Sequence, residues 1–141
     1  MGTFDVRAVD PALTRPLRQR VLRPHESLEV LASHEPPGVH AVGAFTGDGE
    51  LVAAGFVCPD GGPGAWRIRG MATDPAHRGQ GAGAAVLARL VEHAVAQGAT
   101  RVWCNARTPA LSLYARAGFE PDSDEFEIPG IGPHFVMALR V

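Results

Sequence analysis

Between a strand-like stretch ending near Thr73 and a helical pattern beginning near Ala82 lies Arg78-Gly79-Gln80-Gly81-Ala82-Gly83, with glycine at alternate positions behind an arginine. Residues of these types in this order make an anion cradle. Glycine leaves no Cβ to obstruct a ligand, and the N–H groups of a helix's first turn have no partner inside the helix, so they point at whatever docks there. Arg78 adds a planar cationic fork. A Walker A loop is excluded, because it ends in Gly-Lys-Ser/Thr and all 13 Lys+Arg positions of this chain are arginine. The dinucleotide fingerprint needs G-x-G-x-x-G and an acidic residue about 20 positions on. Here the glycines are Gly79, Gly81 and Gly83, and the later stretch offers Arg101.

A cradle needs a strand to deliver it and a helix to follow it. Ala65 to Thr73 reads as the strand. From Ala82 to Gln97, Val86, Leu87, Leu90, Val91, Ala94 and Val95 form one apolar face, and Gly98 supplies the stop. Upstream, Phe4 to Ala8 is a first strand, and Asp10-Pro11 caps a helix running to about Leu22, with Leu13, Leu17 and Val21 at helical spacing. His25 to Gly38 is loop with a short helix around Ser27 to Leu31, and Val39 to Phe45 and Leu51 to Cys58 form a hairpin across Gly47-Asp48-Gly49. Downstream, Val102 to Arg107 is a strand, Thr108-Pro109 starts a helix that Gly118 ends, and Phe126 to Ile128 and Phe135 to Arg140 close the sheet.

The 141 residues make one expected domain, 1–141, with 45% hydrophobic and 20% charged residues, a globular composition. A net charge of -2 argues against a broad nucleic-acid surface, and Arg18, Arg20 and Arg23 are expected to decorate one helix end. No apolar run is long enough to span a membrane, and no signal peptide is indicated. Met1-Gly2 invites a myristoylation reading, but Val6 stands where Ser or Thr is needed. Cys58 and Cys104 are too few for a disulfide framework or a Cys-x-x-Cys metal site, so a reducing cytoplasm and no metal are expected, with Cys104 read as a small buried hydrophobe.

The cradle matches the R-x-x-G-x-G/A signature of GCN5-related N-acetyltransferases, and its surroundings resemble that family continuously from about residue 66 onward. Gly70-Met71-Ala72-Thr73-Asp74-Pro75 precedes the loop, and Ala110-Leu111-Ser112-Leu113-Tyr114 with Gly118-Phe119 resembles the family's A-x-x-x-Y-x-x-x-G-F helix and exit. Gly132-Pro133-His134 resembles the tail of a small bacterial subgroup ending in G-P-H-x-x-M. The resemblance implies an α/β fold, a mixed, mostly antiparallel sheet flanked by helices that splays open after the cradle strand. It also implies acetyl-coenzyme A as cosubstrate, a primary amine, foremost of a small molecule, as acceptor, with small amines, aminosugars, amino acids, antibiotics and protein N-termini all open, direct transfer in a ternary complex, and a homodimer as a common assembly.

Acetyl transfer to an amine requires a neutral amine, a polarised thioester carbonyl and a proton for the departing thiolate. For the proton the resemblance points to Tyr114, the only tyrosine in the chain, whose phenol stays protonated at neutral pH. The plain alternative is an aromatic packed on a helix face. Polarisation falls to a backbone N–H of Met71 or Ala72. Met71 and Thr73 are expected along the coenzyme's pantetheine arm, with Arg78, Gly79, Gln80, Gly81, Ala82 and Gly83 at the pyrophosphate. Asn105 reaches coenzyme or substrate, or serves a local turn, and His77 touches phosphate or solvent.

No glutamate lies in Trp66 to Thr73, where several such enzymes keep their base. Glu127 and His134, on the closing strands, are the substitutes, with a structural histidine as the alternative. The missing glutamate also keeps open a non-catalytic acyl-coenzyme A binding or sensing domain. His25, Glu26, His34 and Glu35 lie where an acceptor pocket is expected. Asp122, Asp124, Glu125 and Glu127 either attract a cationic amine or are solvated loop charges.

Overall fold

The computed structural model describes residues 3–141, so the Met1-Gly2 reading lies outside the described residues. The chain runs β1 (Asp5–Val9), α1 (Pro11–Leu22), α2 (Leu28–Ser33), β2 (His40–Phe45), β3 (Leu51–Pro59), β4 (Ala65–Thr73), α3 (Ala82–Ala96), β5 (Arg101–Arg107), α4 (Leu111–Arg116), β6 (Glu120–Pro121), β7 (Phe126–Ile128) and β8 (Gly132–Arg140). The strands form one sheet in the order β1-β2-β3-β4-β5-β8-β6, with β7 also on β8. Every pairing is antiparallel except β4 with β5.

That exception makes the opening. β4 and β5 stay in register only over Ala65↔Arg101, Trp66↔Val102 and Arg67↔Trp103, and then part. A bulge adds to the divergence. Between Ala54 and Phe56 of β3 the register slips against Ala72 and Arg69 of β4, with Gly70 at φ +65. A side chain at Gly70 would crowd the Phe56 ring and the Arg18 stem, so the bend is open only to glycine.

One face of the sheet is covered by α3, whose Val86, Leu87, Leu90 and Ala94 are fully buried over β2, β3 and β4. Truncating Leu87 or Leu90 to alanine costs about 2–5 kcal/mol. Ile68, Val102, Cys104, Ala106 and Met137 point to this face. By the two-residue period of a strand, Arg67, Arg69, Asn105 and Arg107 point to the other, where α1 packs.

α1 begins as expected, with the Asp10 side chain accepting from Ala12 N and proline at its start. Its buried face differs from the expected one. Leu17, Thr14 and Arg18 are buried and Leu13 is exposed. Arg18 is thus not a surface decoration. Its Nε donates to Thr14 Oγ1 at 3.0 Å and its guanidinium pairs with Glu35 just beyond α2, while Arg20 alone of the trio reaches outward, to Asp74.

Thr108 also departs from its expected role. The segment Thr108–Ala110 is a separate 3-10 turn, and the Thr108 hydroxyl donates to Glu125 at 2.9 Å instead of capping α4.

Candidate functional site

The β4–β5 opening continues into a cleft of about 940 Å³. Every residue from Met71 to Thr73 and from Arg78 to Gly83 lines it, as do Asn105, Tyr114 and His134. Glu127 does not. It is exposed on β7, on the strand face opposite Phe126 and Ile128, and the structure leaves it outside the constellation.

At one end the cleft meets the start of α3. Gly81 is the N-cap at φ +88 and has no side chain to satisfy the first turn, and no acidic residue stands there. Gly79 and Gly81 both adopt left-handed conformations, and a Cβ on either would enter open space. The cradle is therefore a concavity of backbone N–H groups at a positive helix end, with exposed Arg78 at its lip. Gly83 serves another purpose: a Cβ there would sit 3.0 Å from Thr73 Oγ1, so its absence lets α3 lie close to β4.

Beyond its three registered pairs, the edge of β4 facing β5 is free. Asp74 N donates to Val52 O at 2.8 Å. Alternation along an antiparallel strand then turns the Ala72 N–H toward β3, and those of Thr73 and Met71 toward the opening. Of the two donors expected from sequence, Met71 is the one facing the cleft.

Tyr114, 6% exposed, reaches the cleft from α4, its ring edge-on to Phe119 with centroids 5.7 Å apart. Its hydroxyl meets the Cys104 thiol of β5, and burial first, then Cys104, raises the phenol's pKa. Burial also pushes the Cys104 thiol up to about 12, against the opposing hydrogen bond from Tyr114. Both groups are neutral at physiological pH. Cys104, 2% exposed, is the small buried residue its strand pattern suggested.

His134 is 3% exposed, and its Nδ1 lies 2.7 Å from the Gly132 carbonyl oxygen. A carbonyl only accepts, so Nδ1 carries the proton and Nε2 is left as acceptor. Phe126 stacks against the ring with centroids 6.0 Å apart.

The far end of the cleft is basic. Glu26, His34 and Glu35 do line it, whereas His25 borders only an adjoining hollow. Glu35 is already committed, bonded twice at 2.9 Å to Arg15 and also to Arg18. None of Asp122, Asp124, Glu125 and Glu127 lines the cleft. Asp122 pairs with Arg101 at 2.8 Å and Glu125 accepts from Thr108, so the plainer reading of these acids holds. Sequence reasoning passed over Arg67, Arg69 and Arg107, which line this end. Their signal was the two-residue period that places them on the faces of β4 and β5 opposite Ile68 and Ala106.

The chain matches the Acetyltransferase (GNAT) family over residues 8–119. It is 37% identical over 144 residues to the uncharacterized N-acetyltransferase YitI of Bacillus subtilis (strain 168), covering 95% of this chain and 94% of that one. The fold is similar to the ribosomal-protein-S18-alanine N-acetyltransferase of Escherichia coli, with TM-score 0.77, 19% identity and coverage of 99% and 94%. It is also similar to a Bacillus subtilis acetyltransferase in complex with CoA, with TM-score 0.76, 16% identity and 99% of each chain covered. At those identities the structural likeness shows the fold, the open mixed sheet expected from sequence.

Proposed function

The chain belongs to the acetyltransferase (GNAT) family, and from that premise we infer that it moves an acetyl group from acetyl-coenzyme A to a primary amine of a small molecule, by direct attack within a ternary complex. The observation that carries this reading is the parting of β4 and β5 directly above the glycine cradle, with Tyr114 and His134 both on the resulting cleft. The donor set fits a coenzyme A phosphate chain: open space at Gly79 and Gly81, an uncapped helix start and an arginine at the lip.

In this reading the N–H groups opening α3 and the Arg78 fork hold the pyrophosphate, while the free edge of β4 from Met71 to Thr73 pairs with the pantetheine arm. When bound, the coenzyme supplies an acetyl group activated as a thioester. The Met71 N–H supports negative charge developing on the carbonyl oxygen. Tyr114 holds a proton at its hydroxyl for the leaving sulfur, and burial keeps the phenol neutral at rest. With Nδ1 committed to the Gly132 carbonyl, Nε2 is the nitrogen of His134 that accepts the proton of the attacking amine, directly or through water. Free, buried Cys58 and Cys104 suit a reducing, cytoplasmic setting.

The test is a thiol-release assay with acetyl-coenzyme A over a panel of primary amines, paired with calorimetry of coenzyme binding. Turnover with at least one amine class is expected. Tight coenzyme binding without turnover across the panel would return the protein to a sensing role.

A further inference from the structure

Two guanidinium groups converge on one carbonyl at the acceptor end of the cleft. Arg23 Nη1 donates to Leu22 O at 3.0 Å, and Arg107 Nη2 donates to the same oxygen at 3.3 Å. Neither has a carboxylate within ion-pair distance among the described residues. Two like charges sharing a neutral acceptor repel each other, and burial and Arg23 together lower the pKa of Arg107. Further cations face the same space. Arg69 is half-buried and has no carboxylate partner among the described residues, while Arg67, paired with Asp60 at 3.5 Å, keeps a buried Nε with no hydrogen-bond partner. Of the two acids lining the cleft, Glu35 is taken up by Arg15 and Arg18, and Glu26 forms no ion pair among the described residues.

Such a pocket is hostile to a bare ammonium ion and incomplete without an anion. We propose that Arg23 and Arg107 form a clamp for a carboxylate on the acceptor, so that the substrate class is an amine carrying its own carboxylate, as amino acids do. The proposal rests on the acetyltransferase reading and narrows it. Arg107 stands directly opposite His134 in the β5–β8 register, where side chains share a face with Cβ atoms about 4.5–5.5 Å apart. A carboxylate held by Arg107 therefore brings an amine on the same small molecule to the His134 imidazole. The anion neutralises the clamp, and the surrounding arginines favour loss of the ammonium proton before attack.

The experiment compares matched acceptors: free amino acids, their carboxamides and their decarboxylated amines, each with the wild-type enzyme, Arg107→Gln, Arg107→Lys and Arg23→Gln. Binding of the corresponding N-acetyl amino acids is followed by calorimetry in the presence of coenzyme A. Carboxylate acceptors should be preferred by the wild type. Arg107→Gln should lower kcat/KM for them roughly 10- to 100-fold, the worth of a charge-assisted hydrogen bond, with little change for the carboxamides. Arg107→Lys should recover part of the loss. Arg23 lies outside the sheet, so Arg23→Gln gives the same contrast should Arg107→Gln fold poorly. Equal use of free amino acids and their carboxamides by the wild type, or equal losses for all acceptors in the variants, would overturn the clamp and leave the transferase reading intact. If coenzyme binds but nothing is turned over, the transferase reading fails and calorimetry decides: N-acetyl amino acid binding that is weakened in Arg107→Gln supports the clamp, and no binding overturns it.

Discussion

Arg107 of β5 and His134 of β8 stand directly opposite each other, which puts an unpaired guanidinium and a buried imidazole on one face of the sheet, across from the α3-packed core. The Gly132 carbonyl holds the imidazole in one tautomer. His134→Gln preserves a hydrogen-bonding side chain but removes the ring nitrogen assigned to the amine's proton. The rate should fall about 10²-fold or more, with coenzyme affinity little changed. An undiminished rate that follows the basicity of the acceptor would assign deprotonation to water.

Tyr114 offers a second, independent test. Tyr114→Phe removes the hydroxyl beside the Cys104 thiol and leaves the ring packing against Phe119 in place. Coenzyme affinity and thermal stability should change little, while kcat falls about 10²-fold. Full activity in a folded Tyr114→Phe protein would reduce the residue to packing.

Legibility in the sequence followed the range of the interactions concerned. The cradle was readable because Gly79, Gly81 and the first turn of α3 act through local backbone geometry. The α3 face was readable because Val86, Leu87, Leu90 and Ala94 repeat at helical spacing. Arg18 was misread because its burial depends on Glu35, seventeen residues away in sequence and brought near by α2. The Arg23–Arg107 convergence depends on Arg107 reaching Leu22 O, 85 residues away in sequence, a contact no local pattern encodes. Glu127 was misplaced for a simpler reason. A three-residue strand gives no period from which to tell its faces, and register with β8 turned Phe126 toward His134 and Glu127 to solvent.

Gly81→Ala probes the cradle. The residue is left-handed at φ +88, so alanine costs about 1–2 kcal/mol in backbone strain. Its Cβ meets no protein atom within 4 Å and instead occupies the space assigned to phosphate. Coenzyme affinity should drop by far more than stability does, as seen by calorimetry beside urea unfolding. Undiminished affinity would remove the cradle from the coenzyme site.

Glu35 locks α1 to the segment after α2, and its removal should be felt in stability. Its side chain is 8% exposed and that of Arg18 is 6% exposed, so Glu35→Gln leaves a buried guanidinium without its counter-charge. The expected loss is about 3–5 kcal/mol at neutral pH, measured by urea unfolding. The paired arginines also set a pH dependence. Hydrogen bonds from Arg15 first, then those from Arg18, hold the Glu35 carboxyl below its ordinary value against the opposing effect of burial. A carboxyl whose pKa is lower folded than unfolded contributes stability above the unfolded value, near 4.3, and loses it as pH falls through the folded value. The wild type should therefore weaken progressively below about pH 4.3, and Glu35→Gln should flatten that part of the curve while lowering the plateau above it. A variant with the wild-type urea midpoint at pH 7 and an unchanged acid limb would show that the Arg15–Glu35–Arg18 contact contributes nothing net to the fold.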